Sequence, residues 1–244
     1  MSRLLISKGC YKGKEYLAHL PMEELLQKII WKGYDPKEHQ VIFVPFAEEE
    51  KNWNESAEKA GNFFKKNGFP FVSMHSPEYK ESTFPGSSDR GILCIGEGNV
   101  FRLLKTIQEK NLFGQIKKLT NTKRGYIGIG AGCTICDSTI ELTCDTPIVG
   151  LLDLTGFGIN DCPIIPNFVL GSLTHSGIPI EQAAQKYFNE TLNDVIGLPE
   201  SCYVLKSPSC MYLDGIEDAA WFNDNKGEIA KWAAGENKWT AFSL

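Results

Sequence analysis

One stretch near the middle of the chain, Gly125-Tyr-Ile-Gly-Ile-Gly-Ala-Gly-Cys-Thr-Ile-Cys136, limits what the rest can fold into. The apolar run Tyr126 to Ile129 reads as a buried strand that ends abruptly in small residues, and Cys133 to Cys136 reads as the start of a helix. So sharp a turn holds its central residue in a backbone conformation that costs a residue with a Cβ about 1–3 kcal/mol, a strain that glycine escapes. Gly128, Gly130 and Gly132 therefore mark a strand–turn–helix element.

The flanking segments agree with it. Arg3 to Ser7, Val41 to Phe46, Phe71 to Met74 and Gly91 to Ile95 read as short strands. Val41 to Phe46 is apolar throughout, as a strand covered on both faces should be. Pro21 to Lys32 has acids early, a base late and Gly33 beyond, the pattern of a helix with a stop. Asn52 to Lys66 places Trp53, Ala57, Ala60, Phe63 and Phe64 on one helical face, and Gly68 ends it. Val100 to Lys110 does the same with Phe101, Leu103, Leu104 and Ile107, and Pro179 to Leu192 turns Ala183, Ala184 and Tyr187 inward. Pro77 to Arg90 is a polar loop that could border a site. Asp137 to Asp161 is a connector with the strand-like piece Ile148 to Leu152, and Val195 to Leu244 reads as hairpins at a sheet edge. The exchange of strands with amphipathic helices predicts an α/β fold, a three-layer α/β/α sandwich around a mostly parallel central sheet, in one domain over residues 1–244.

Bulk properties narrow the function classes. A net charge of −5 lacks the basic footprint of a nucleic-acid binder. The longest apolar runs, such as Val41 to Ala47, fall short of a membrane span. Met1 to Ser7 is too short for a signal peptide and reads as a first strand. Eight cysteines without such a signal point to free thiols in a reducing compartment, hence to the cytoplasm.

The central turn has the outline of the nucleophile-bearing Gly-x-Ser-x-Gly motif of α/β hydrolytic enzymes, with Gly128 and Gly132 in place and Gly130 where the serine should stand. Five further segments share an order and spacing with one family: Val41-Ile-Phe-Val-Pro-Phe-Ala47, Gly96-Glu-Gly-Asn-Val-Phe101, Cys144-Asp-Thr-Pro-Ile148, Ile165-Pro-Asn-Phe168 and Ile196-Gly-Leu-Pro-Glu200. Together with Tyr126-Ile-Gly-Ile-Gly-Ala-Gly132 they make the chain resemble peptidase E, the aspartyl dipeptidase family of serine peptidases on the glutamine-amidotransferase-like fold. The resemblance runs nearly end to end. It implies a Ser-His-Asp triad whose serine falls on Gly130, whose aspartate falls on Asp145 and whose histidine falls on Asn167.

Glycine has no side-chain oxygen to attack a carbonyl, and an asparagine amide cannot act as a general base near neutral pH. Losing a nucleophile of this kind costs roughly a million-fold in turnover. The expectation is a non-catalytic homologue. An oxyanion site needs no side chain, so the resemblance leaves backbone N–H groups at Gly98 or its neighbours in the Gly96, Glu97 and Asn99 turn, and at Ala131, able to bind a small peptide, an amino-acid-like ligand or an anion. The helix after the turn would add its positive end. Glu141 stands where the family carries an arginine suited to an aspartyl side chain. With Glu97 it would form a pair of rim acids that favours a basic or neutral ligand.

Two other classes of function remain open at this point. One is a hydrolase or amidotransferase with a relocated nucleophile, a thiol such as Cys133. The other is disulfide exchange through Cys133-Thr-Ile-Cys136 at a helix N-terminus. Zinc held by Cys133, Cys136, Cys144 and Cys162 matches no usual spacing. Gly128-Ile-Gly-Ala-Gly132 only brushes the dinucleotide fingerprint, so neither metal nor cofactor is expected. His19, His39, His75 and His175 are scattered, and only His175 lies close enough to Asn167 in sequence to swing toward the site.

Overall fold

The structure, a computed structural model, describes residues 3–10, 15–17, 20, 36–80, 91–120, 125–207, 211–224 and 230–232. The expected Pro21 to Lys32 helix, most of the Pro77 to Arg90 loop and the end of the tail lie outside them.

The strands in chain order are β1 (Arg3–Ile6), β2 (Gln40–Val44), β3 (Phe71–Ser73), β4 (Gly91–Ile95), β5 (Gly125–Ile129), β6 (Ile164–Pro166), β7 (Val195–Leu198), β8 (Tyr203–Lys206), β9 (Met211–Asp214), β10 (Ala219–Phe222) and β11 (Ala230–Trp232). The α-helices among the described residues are α1 (Trp53–Lys66), α2 (Val100–Glu109), α3 (Phe113–Thr120), α4 (Ala131–Thr134) and α5 (Ile180–Thr191). The main sheet has seven strands in the order β3-β2-β4-β5-β1-β8-β9. The first five run parallel, and β8 and β9 add an antiparallel edge.

Side chains alternate between the two faces of this sheet, as the two-residue period requires. Leu4, Ile6, Val41, Phe43, Ile92, Cys94, Ile127 and Ile129 face one core, which α1 closes with Ala60 and Phe64. Leu5, Ile42, Val44, Leu93, Ile95 and Tyr126 face the other, which α2 closes with Phe101, Leu103, Leu104 and Ile107. Each of these large side chains contributes about 1.5–3 kcal/mol by leaving water, and burial on both faces is why the strands read as unbroken apolar runs. The predicted three-layer arrangement is the one observed.

The second half of the chain departs from expectation. Its tail does not simply extend one sheet edge. The β8–β9 pair does so, but β7, β10 and β11 join β6 in a separate four-stranded sheet of order β11-β10-β7-β6. One face of that sheet shares the α2 core through Ile164, Ile196, Leu198 and Ala219. The other packs Ile165, Val195 and Phe222 against α5. The buried face of α5 is Ile180, Ala184 and Phe188, with Ala183 and Tyr187 half-buried at its margin. Ile148 to Leu152 forms no strand, and Ile148 and Leu152 are exposed.

Helix α4 is a single turn, shorter than the sequence suggests, because a later loop captures the carbonyls of the residues that follow it. The Ile135 oxygen accepts the Phe157 N–H at 2.8 Å, the Cys136 oxygen those of Ile159 and Asn160, and the Asp137 oxygen that of Gly158. The buried Asp137 carboxylate then accepts the Asn160 amide at 2.9 Å and the Ile164 N–H at 3.3 Å. Lys206 in turn donates to Asn160 Oδ1 at 3.1 Å, which ties the turn to β8.

The two outer glycines of the turn are required by contact distance. A Cβ on Gly128 would lie 2.4 Å from the Gly132 oxygen, and one on Gly132 would lie 2.4 Å from the Ile95 oxygen. Gly132→Ala should therefore destabilise the protein at the upper end of about 1–3 kcal/mol. Gly114→Ala, on α3 with nothing within 4 Å of the added carbon, should stabilise it by about 0.5–1 kcal/mol. Urea unfolding of both variants measures the contrast.

Candidate functional site

The site is built where β5 breaks into α4, at the end of the sheet that also carries the turns after β1 and β4. Gly130 sits at φ 52° and ψ −109°. Its N–H donates to the Ile6 oxygen at 2.9 Å, and its own carbonyl accepts the Cys133 N–H at 2.8 Å. The elbow is thus tied to β1 on one side and starts the helix on the other.

What lies beside Gly130 is Glu97. A Cβ built on Gly130 would be 3.3 Å from Glu97 Cβ, 3.5 Å from Glu97 Cα and 3.7 Å from the Ser7 oxygen. Glu97 is held there by its turn. The Gly96 N–H donates to the Val44 oxygen at 3.1 Å and the Asn99 N–H to the Ala47 oxygen at 3.0 Å. Gly98, at φ +133°, lies so close to Ala47 that a Cβ would come within 2.5 Å of its oxygen. The Glu97 carboxylate turns inward and accepts the Gly9 N–H at 3.1 Å. Burial raises its pKa above the ordinary carboxylate value and Glu48 adds to the rise, against the Gly9 hydrogen bond and the charges of Lys8 and Lys59. Glu97 is therefore not a rim acid as expected, because the Gly9 amide draws it in. Glu141 is exposed in the connector, where its N–H donates to Thr139 Oγ1 at 3.2 Å.

The other two positions to which the resemblance assigns the triad have local employment. Asp145 Oδ2 accepts the Val100 N–H at 2.7 Å. The neighbouring Asn99 caps the same helix by accepting the Arg102 N–H at 3.1 Å and holds the connector by donating to the Thr146 oxygen at 2.8 Å. Burial nevertheless raises the Asp145 pKa. Asn167 adopts φ +53°, a conformation asparagine tolerates better than most residues. Its N–H donates to Ser7 Oγ at 2.7 Å, the Ser7 hydroxyl donates to the Leu198 oxygen at 3.0 Å, and the residue itself is exposed. Among the described residues no hydrogen bond joins Asp145 to Asn167. Gly130, Glu97, Ser7 and Asn167 are brought together, whereas Asp145 serves the α2 terminus. His175 packs edge-on to Phe101 at 5.4 Å, and its buried Nδ1 has no hydrogen-bond partner among the described residues.

Ala131 is buried, and neither its N–H nor that of Gly98 has an acceptor among the described residues. These are the donors an oxyanion site would use. The helix behind Ala131 is only one turn long, so the expected dipole contribution is small; α4 is a corner, not a dipole.

The thiols are placed for packing. The single S–H of Cys133 is shared between the Ile6 and Gly128 oxygens, each 3.1 Å from Sγ, and Cys136 Sγ donates to the Gly132 oxygen at 3.3 Å. All seven described cysteines are free, and burial pushes every one of their pKa values up. Among the described residues no group of three or more His, Cys, Asp or Glu side chains is placed to hold a metal ion, and no helix is long and apolar enough to cross a membrane.

A parallel sheet whose central strand breaks at a positive-φ glycine into a helix defines the fold class of the peptidases it resembles, and comparison with known proteins agrees. The profile of peptidase family S51 matches residues 3–208. The chain belongs to that family. It is 29% identical over 230 residues to peptidase E of Citrobacter koseri, covering 91% of this chain and 94% of that protein. It is 26% identical over 216 residues to peptidase E of a Nostoc species, covering 87% and 85%. Its fold matches the crystal structure of a peptidase from an acI-B1 Actinobacterium with a TM-score of 0.61 at 16% identity, over 99% of this chain and 96% of that one.

Two measurements follow from the geometry. Gly130→Ser should cost about 1–3 kcal/mol in urea unfolding, because the residue must hold a positive φ. Glu97, with its native pKa raised, contributes stability that is full below the ordinary carboxylate range and fades as pH rises through the native value. Glu97→Gln should therefore gain on the wild type as pH rises from the ordinary carboxylate range through the raised native value, read as diverging unfolding midpoints; parallel curves would contradict the assignment.

Proposed function

We propose that this member of peptidase family S51 is a non-catalytic homologue of peptidase E that holds a small peptide or amino-acid-like ligand at the elbow, in the cytoplasm and without a metal or cofactor. The observation that carries the reading is Glu97 packed against Gly130 at the point where a nucleophile's side chain would stand. Asn167 brings no base, and the Asp145 carboxylate is committed to the Val100 N–H. The ligand would be held by the N–H groups of Gly98 and Ala131, which suit a peptide carbonyl. A free anion is disfavoured there by the Glu97 carboxylate, so a neutral or basic ligand fits better.

A relocated thiol draws no support from seven cysteines whose pKa values are all raised, since a reactive thiol needs a lowered one. The same burial argues against disulfide exchange through Cys133 and Cys136. One hydroxyl supports a second reading. Ser73 Oγ lies 2.7 Å from His75 Nδ1, and His75 Nε2 lies 2.9 Å from Asn54 Oδ1. The Asn54 oxygen only accepts, so Nε2 carries the proton and Nδ1 is the acceptor, as a general base requires, with the Phe43 oxygen 3.4 Å from Ser73 Oγ competing for the hydroxyl proton. Burial lowers the His75 pKa, against the charge of Glu78. Against it, Ser73 is itself buried, 5% exposed.

A serine-directed fluorophosphonate probe separates the two. The non-catalytic reading expects the intact mass to remain unchanged. A stoichiometric adduct on the peptide that contains Ser73 would replace it with the second reading.

A further inference from the structure

Four large apolar side chains stand in water on the loop after β6. Val169, Leu170, Leu173 and Ile178 are 63, 64, 56 and 41% exposed. Their exposure is built in. The Ser172 N–H donates to the Val169 oxygen at 3.1 Å, the Thr174 N–H to the Ile178 oxygen at 2.8 Å and the Ile180 N–H to the Ser172 oxygen at 2.8 Å. A bridge between Leu173 and Pro179 closes the same hairpin, and the Gly171 N–H donates to Glu181 Oε2 at 3.2 Å. The loop thus spends its backbone on itself and on α5, and its apolar side chains are left outside. Clustered apolar side chains on a fixed frame mark a docking surface. From Asn167 to Ile180 the sequence holds no Asp, Glu, Lys or Arg, and the one histidine there, His175, packs on Phe101. An uncharged apolar surface of this kind is best covered by an uncharged segment.

The chain itself supplies such a segment. Beyond β11 the sequence continues with residues 233–244, which lie outside the described residues. The stretch Trp239-Thr-Ala-Phe-Ser-Leu244 is uncharged and carries Trp239, Phe242 and Leu244. Register fixes where it departs. Pro166 pairs with Leu198 at the end of β6 that leads into the loop. Strand β10 runs antiparallel to β7, with Phe222 opposite Val195 and Ala220 opposite Gly197. Strand β11 runs back again, with Trp232 opposite Ala219. Trp232 therefore lies at the same end of the second sheet as Pro166. With the order β11-β10-β7-β6 and neighbouring strands about 4.8 Å apart, the two ends are about 14 Å from each other. An extended run over residues 233–238 spans about 20 Å, so Trp239 reaches the loop.

We propose that residues 239–244 dock on the loop after β6 of the same molecule, with the rings of Trp239 and Phe242 covering Val169, Leu170, Leu173 and Ile178. Asn167 opens that loop, so the docked segment borders the elbow. The interface does not depend on what the elbow holds.

Methyl NMR of the full chain tests the contact, because an aromatic ring stacked on a methyl group shifts its resonance. The double variant Trp239→Ala/Phe242→Ala should move the methyl signals of Val169, Leu170, Leu173 and Ile178. Leu192, exposed near the opposite end of β7, should stay where it is. In the reverse direction, Leu173→Ser should shift the Trp239 indole N–H toward its position in a synthetic peptide of residues 233–244. Both effects should be the same at every protein concentration. Loop methyls left unmoved by the double variant, or a Trp239 signal already at the free-peptide position in the unaltered chain, would overturn the docking. Effects that vanish on dilution would overturn it in favour of a second copy of the chain seated on the loop.

Discussion

Everything at this site depends on how closely the turn after β5 lies against the two central strands. The Gly132 carbonyl sits where a Gly128 side chain would be, and the Ile95 carbonyl where a Gly132 side chain would be. That approach is possible only between backbones. It is sealed by the buried Tyr126 hydroxyl, which donates to the Gly132 oxygen at 2.6 Å. The corner is thereby rigid on its core side, and Gly130 is left as the one residue of the turn whose added carbon would point at Glu97. Chemistry at the elbow is decided by that single direction.

The neighbours of Gly130 are tied to one another by hydrogen bonds that serve the fold. Ser7, Asn167 and Leu198 form a hydrogen-bonded chain that fixes the loop after β6 to the loop after β1. Asp145 and Asn99 together stitch the connector to the start of α2. These bonds fix the segments around the elbow, and among the described residues they include none between Asp145 and Asn167. Such supports carry stability whatever residue stands at position 130. Removing an acceptor such as Asp145 would strand the Val100 N–H.

The centre of the main sheet was legible in the sequence because β2, β4 and β5 are buried and largely apolar on both faces and the long helices each carry one apolar stripe. Phe101, Leu103, Leu104 and Ile107 are buried as their spacing requires. Gly128 and Gly132 were legible as structural requirements for the same local reason. The second sheet was not, since β6 is three residues long, ends in Pro166 and pairs with a strand some thirty residues later, so no local period reveals it. The length of α4 was hidden too, because the residues that end it, Phe157 to Asn160, are remote in the chain. Glu97 was singled out from its position in the turn, but its inward pose depends on Gly9, nearly ninety residues away.

The central claim is that a peptidase frame has been retained here without its catalysis. The most direct measurement is release of free aspartate from a panel of Asp-Xaa dipeptides, the substrates implied by the family resemblance, using protein purified to constant specific behaviour over successive columns. The account predicts release indistinguishable from the buffer blank at every peptide. Aspartate release that co-purifies with the protein, scales with its concentration and saturates with dipeptide would contradict it.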